Sequence, residues 1–242
     1  KVICCLIEGF KDGARFAAAC AEAARQGKPV VGLKVGRSEY GAKAAASHTA
    51  SITGSAEVNS CVFAQMGVVE VDDMDVAMLF TRKMPKGDEK IAVFASSGGA
   101  ASLCADNVGI SALEMAEFTP ETAKRLADAL PAYAGMTNPV DTTSISISHP
   151  EAYREALTAV AQDANVGIVL APLPMDYGQY SVINAQSLAA AQAQSQVPIV
   201  PIWMSERQGE GYKALAKSGH VPFRSLRNMR KAVRRWIDYG KW

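Results

Sequence analysis

Short runs of β-branched and aliphatic residues recur along this chain, each followed by a small-residue or glycine turn and then by an alanine-rich or amphipathic stretch. Strands that alternate with helices in this way pair in parallel through crossovers, so the pattern predicts an α/β fold with parallel sheets. The first strands are read at residues 2–7, 29–35 and 68–71, with helices at 14–25, 56–66 and 74–83. Glycines 27 and 67 close two of these helices, and Ser55 stands as an N-cap before the helix at 56.

Residues 83–90, KMPKGDEK, break the alternation with proline, glycine and charge, and are read as a linker. The linker divides the chain into domains at 1–85 and 86–242. In the second, strand 91–95 runs into Ser96-Ser97-Gly98-Gly99 and a helix at 100–108. A strand at 111–117 and a helix at 120–130 follow, the helix with Thr119 as N-cap and Pro120 at its first position. The long stretch YAGMTNPVDTTSISIS reads as a loop carrying Asn138-Pro139-Val140-Asp141. Helices at 150–162, 181–194, 211–217 and 226–239 then alternate with strands at 166–170, 197–204 and 221–223. No short-period repeat is present; the two small-residue βα-turns, one per domain, are the nearest approach to internal symmetry. The opening run Lys1–Ile7 reads as a central strand, which needs neighbours on both sides and predicts that the chain is a piece of a longer protein.

Composition narrows the function classes. The 242 residues are 49% hydrophobic and 20% charged, enough apolar content for a sizeable core. With 25 basic and 24 acidic residues the net charge is +1, so no global field draws the chain to nucleic acid or a membrane surface. No apolar run approaches the roughly 18 residues of a membrane span, and no signal-peptide pattern is present. Five cysteines (4, 5, 20, 61 and 104) without regular spacing argue against a disulfide framework or a zinc site and predict free thiols in a reducing cytoplasm.

Chemistry concentrates at the ends of the early strands. Strand 29–35 stops at Gly36, and the small and polar residues that follow are read as a loop holding His48 between Ser47 and Thr49. In open α/β sheets ligands bind beyond the carboxyl ends of the strands, where this histidine is expected. Glu8 follows the first strand; if the two strands are neighbours, about 4.8 Å apart, its carboxylate can reach the imidazole. Such a carboxylate fixes the tautomer and leaves the other ring nitrogen as base or nucleophile. The plain alternatives are a solvated strand-end glutamate and a surface histidine.

Ser97, Gly98 and Gly99, between a strand and a helix, outline an anion cradle of backbone N–H groups at a helix amino end, although the turn has neither the P-loop nor the dinucleotide-binding spacing. Its plain alternative is a tight turn. His149 and His220 read as structural, Asp141 as a pocket or turn residue, and the basic run 224–235 as the wet face of an amphipathic helix.

The stretches LIEGFKDG at 6–13 and KPVVGLKVGRSEYGAKAAASHTASITGS at 28–55, with SSGG at 96–99, NPVD at 138–141 and the ending VPFRSLRNMRKAV, resemble the NDP-forming acyl-CoA synthetases, the superfamily of succinyl-CoA synthetase. The resemblance implies two flavodoxin-like, doubly wound domains, the first truncated at its amino end. It implies that His48 is phosphorylated during turnover, that Glu8 orients it, that a mobile loop lets it swing between sites, and that the Ser97–Gly99 turn faces the phosphate. It further implies an acid–thiol ligase working with CoA, ATP or ADP, phosphate and magnesium, on a small carboxylic acid, with no nucleic-acid or membrane partner and a possible homo-oligomer. None of the cofactors is expected to bind within these residues, because the CoA-binding and ATP-grasp domains of such enzymes are not among them. One departure stands in the histidine segment, where Ala50 replaces the family's usual glycine. The rival reading is a non-catalytic α/β platform within a larger assembly.

Overall fold

The computed structural model describes residues 1–49, 55–81, 90–220 and 222–241. The chain forms two compact units, one of residues 1–82 with 238–242, the other of residues 83–237.

In the first unit, β1 (Ile3–Ile7), β2 (Val30–Lys34) and β3 (Val68–Val71) form a parallel sheet in the order β1-β2-β3. Ile7 stands opposite Lys34, and Leu33 opposite Val71. Helix α1 (Gly13–Arg25) starts where the Asp12 carboxylate accepts the Arg15 amide at 2.9 Å, and the chain leaves it through Gly27 at φ +61, a left-handed turn suited to glycine. Phe10, Phe16 and Phe63 close the core, with ring centroids 4.9–6.4 Å apart. They pack over Ile7, Cys20, Val30 and Val68.

Among the described residues the partner of β1 is β2, and Ile3 and Leu6 are 40% and 66% exposed. One expectation for this unit is corrected. The small-residue segment after β2 is not a loop through His48; helix α2 spans Glu39–Thr49. Ser38 starts it, its hydroxyl accepting from the Gly41 amide at 3.1 Å and its carbonyl from the Ala42 amide at 2.8 Å. The alanines between 42 and 46 that read as loop are the strongest helix formers available. Ala50 and the residues to 54 lie outside the described residues. Helix α3 (Ala56–Gln65) begins at the Ser55 cap, and a 3-10 helix takes Met74–Thr81 in place of an α-helix. The linker reading at 83–90 falls, but for Lys90, outside the described residues.

The second unit is built on β4 (Ile91–Ala95), which leads into α4 (Gly98–Ile110) and α5 (Pro120–Ala129). Then come β5 (Val140–Asp141), α6 (Ile145–Ser148), α7 (Pro150–Gln162), β6 (Ile168–Leu173), α8 (Gln179–Ala193), β7 (Ile199–Trp203), α9 (Glu210–Lys217) and α10 (Leu226–Lys241). The sheet is parallel in the order β5-β4-β6-β7. Strands β4, β6 and β7 are buried along their whole length. Phe94, Val169, Leu173 and Trp203 pack on one face with side chains of α5, α7, α8 and α9. Residues between them, such as Val93, Leu170 and Ile202, are buried on the other. Both units are thus parallel α/β, as the alternation predicts.

Here too the strand pattern over-reads. Residues 111–117 make a single bridge, Met115 to Ile91, instead of a strand. The reason is Asn138: its Oδ1 accepts from Val93 N at 2.9 Å, and its Nδ2 donates to Ile91 O at 2.7 Å and Ala116 O at 2.9 Å. One side chain takes the places a longer ladder would use. Of the strand read at 221–223, residue 221 lies outside the described residues and Phe223 makes a single bridge to Ile202; the long loop after α5 contains β5 and α6.

Candidate functional site

The sequence-predicted residues fall into two groups, one in each unit. In the first, Glu8 lies one residue beyond the β1–β2 ladder, at the carboxyl edge of the sheet. It borders an open cleft of about 620 Å³ with Leu6, Phe10, Lys11 and Phe16. Its carbonyl accepts from Lys34 Nζ at 2.8 Å, and the ladder closes with Val35 N donating to Ile7 O at 3.0 Å. Lys34, in the last position of β2, is only 4% exposed. Burial pushes its ammonium below the usual lysine range, against the pull of the Glu70 and Glu8 charges. Glu70 on β3 pairs with Arg37, Nη1 to Oε1, at 3.7 Å. The backbone of His48 lies in the last turn of α2, the helix that follows β2.

In the second unit, Ser97 is the N-cap of α4, its hydroxyl accepting from Ala100 N at 3.5 Å and its carbonyl from Ala101 N at 2.9 Å. The first four amides of a helix have no partner within it. With that of Ala100 directed to the Ser97 hydroxyl, those of Gly98 and Gly99 remain as donors at the positive end of α4. Asp141 lies against this turn. A Cβ on Gly98 would stand 2.9 Å from Asp141 Oδ2, while Oδ1 accepts from Thr143 N at 2.9 Å. Asp141 therefore both braces its own turn and walls the cradle.

Next to the turn is a cavity of about 120 Å³ lined by Ser96, Thr143, Ser146, Tyr177, Tyr180 and Asn184. Strand β4 has β5 on one flank and β6 on the other, so the chain order reverses at this point of the sheet, where ligands of open α/β folds bind. The surroundings can hold a small anion on backbone amides and a short polar group on hydroxyls.

His149 precedes α7 without capping it through its side chain, and His220 is buried with Nδ1 2.9 Å from Ser218 Oγ. Neither lines the two cavities described above. Sequence reasoning missed Lys34 and the Tyr177–Asn184 wall. The signal for the first was present, a lysine interrupting the apolar run VVGLKV; the second has none, being polar positions of a helix and its approach. Among the described residues no group of three His, Cys, Asp or Glu is placed to hold a metal, and no helix is long and apolar enough to cross a membrane.

Comparison with known proteins agrees with this architecture. The family described as succinyl-CoA ligase like flavodoxin domain matches residues 1–82. The alpha subunit of ADP-forming acetate–CoA ligase II from Pyrococcus furiosus is 33% identical over 230 residues, covering 92% of this chain and 50% of that subunit. ADP-forming acetate–CoA ligase I from Archaeoglobus fulgidus is 36% identical over 173 residues, or 70% of this chain and 24% of that protein. In fold, 99% of the chain superposes on 53% of the dinucleotide-forming acetyl-coenzyme A synthetase 1 of Ca. Korarchaeum cryptofilum, solved with phosphate and ADP, with a TM-score of 0.82 at 21% identity. The chain thus spans half, or less, of the length of the curated relatives named here. With its two parallel α/β units and this similarity across nearly all of its length, the chain belongs to the NDP-forming acyl-CoA synthetase family, as a piece similar to part of the alpha subunit.

Proposed function

We propose that this chain is the phosphoryl-relay portion of an ADP-forming acyl-CoA synthetase of the cytoplasm. A neutral imidazole nitrogen of His48 attacks the phosphorus of an acyl phosphate. The N–P bond forms as the bond from phosphorus to the acyl oxygen breaks, and the carboxylate leaves. Transfer of the phosphoryl group to ADP then yields ATP and returns the histidine; acyl-CoA synthesis runs these steps backwards to the acyl phosphate, whose carbonyl carbon the CoA thiolate attacks, the C–S bond forming as phosphate leaves. Glu8 accepts the N–H of the other ring nitrogen and holds the ring's tautomer. The Gly98 and Gly99 amides, with the Ser97 cap, take the phosphoryl oxygens in an environment already arranged for negative charge.

The observation that carries the reading is the similarity to an ADP-forming ligase alpha subunit over 92% of the chain, a chain that has His48, Glu8 and the Ser97–Gly99 turn. CoA, nucleotide and magnesium are assigned to CoA-binding and ATP-grasp domains or subunits of the same enzyme, and no residue here is given a metal role. The acid substrate is a small carboxylate.

The test is phosphorylation of the full-length parent and its His48→Ala variant with labelled ATP and magnesium. Acid-labile, alkali-stable label on the wild type, absent from the variant and discharged by CoA plus acid, is the expected result. No label on either protein overturns it in favour of a non-catalytic platform.

A further inference from the structure

A lysine buried at the end of a central strand is expensive to keep. Its charge loses water, and a leucine or methionine there would pack without that cost. Lys34 is 4% exposed, yet its ammonium is well partnered, with Nζ donating to Glu8 O at 2.8 Å and to Val35 O at 2.5 Å. The two carbonyls lie just past the last paired residues of adjacent strands, Ile7 and Lys34. Beyond them the chain turns away, at Glu8-Gly9 after β1 and at Gly36, φ +77, after β2. The ladder has ended there, and the ammonium replaces it as the partner of the Glu8 carbonyl. The Glu8 and Glu70 charges favour its ionised form, against the larger effect of burial.

We infer that Lys34 is a positioning residue for the phosphoryl relay, acting through Glu8: it ties down the Glu8 backbone where the sheet no longer does. The inference rests on the phosphohistidine reading and adds to it a residue that acts through the Glu8 backbone. Glu8 without this tether is an unpaired residue in a bend at the mouth of an open cleft, and its carboxylate samples many directions. An orienting group that strays by about 1 Å loses on the order of 100-fold in rate.

The experiment is a double-mutant cycle in the full-length enzyme, reading the single-turnover rate of phosphoenzyme formation, with circular dichroism melts confirming the folded fraction. Lys34→Met and Glu8→Gln are each expected to slow the step about 10- to 100-fold. The double variant is expected to be no slower than the slower single one, because the lysine works through the glutamate. Lys34→Gln, which retains a donor for the Glu8 carbonyl, recovers part of the rate and stands in for Lys34→Met should that variant not fold. Additive losses, or a normal rate in Lys34→Met, overturn the role of Lys34 and leave the relay intact. Absence of label on the wild type overturns the relay itself, so the two failures are distinguished.

Discussion

The carboxylate of Asp141 occupies the space a side chain on Gly98 would need, with Oδ2 2.9 Å from the position of a Cβ there. The strand-to-helix turn at Ser97–Gly99 and the NPVD segment are therefore two halves of one structure, although 43 positions separate Gly98 from Asp141 in the chain. Glycine at 98 lets the carboxylate close against the start of α4, where the helix dipole favours negative charge.

Replacing Gly98 with alanine is expected to destabilise the chain by about 1–3 kcal/mol, through overpacking against that carboxylate. In an Asp141→Ala background the same substitution becomes neutral or stabilising, since alanine is the better helix former by up to about 1 kcal/mol. Urea unfolding of the four proteins of this cycle measures the coupling. Equal effects of Gly98→Ala in both backgrounds contradict the contact.

Asn138 substitutes for a strand ladder, and its removal leaves Val93 N and Ala116 O without a partner. Asn138→Ala is expected to cost about 2–4 kcal/mol, from the penalty for each buried polar group left unsatisfied. Asn138→Asp is at least as damaging, because it sets a carboxylate oxygen against the carbonyls of Ile91 and Ala116. Midpoints in denaturant check both, and a loss within about 0.5 kcal/mol, what a surface substitution gives, refutes the assignment.

Asp163 gives the second unit a dependence on acid. Burial pushes its carboxyl up. The hydrogen bonds it accepts from the Thr122 hydroxyl, the Thr119 and Asn165 amides and the Thr119 hydroxyl outweigh this and hold it below the usual carboxylate value. Two of these, from Thr119 N and Asn165 N, are 2.8 Å long. A carboxyl depressed on folding contributes stability above its unfolded value of about 4, and that contribution is lost as the pH falls through the folded value. Asp163→Asn is thus expected to cost about 2 kcal/mol at pH 7, with the gap from wild type narrowing below about pH 4. Unfolding at pH 7 and pH 3 reads the difference; a gap that widens in acid reverses the sign and rejects the account.

The thiols separate by environment. Burial pushes the Cys104 thiol up to about 12, whereas Cys4 and Cys61 are exposed. Thiolate is the reactive form, so iodoacetamide at pH 8 is expected to label Cys4 and Cys61 in the folded chain and Cys104 only after denaturation. Mass spectrometry of the peptides reports the order, and early labelling of Cys104 contradicts the packing of α4.

Much of this architecture is legible in local sequence. The parallel α/β class follows from the alternation of β-branched runs and helices, and the caps at Ser55 and Thr119 are visible within a few residues of the helices they start. Glu8 at a strand's end and the Ser97–Gly99 turn are local in the same sense. The segment before His48 reads as loop only when small size is weighed above alanine's helix propensity, a local preference that the residues themselves carry.

Other features depend on groups distant in sequence, and only the tertiary structure decides them. Lys34 and Glu8 are 26 positions apart, and Asn138 reaches across 22 and 47 positions to Ala116 and Ile91. Local propensity assigns residues 111–117 to a strand, but a strand exists only where its backbone groups find partners, and here one asparagine side chain takes them. A lysine within an apolar run announces a buried charge without naming its partners. Those are set by the register of β1 against β2, a long-range pairing that no local pattern contains.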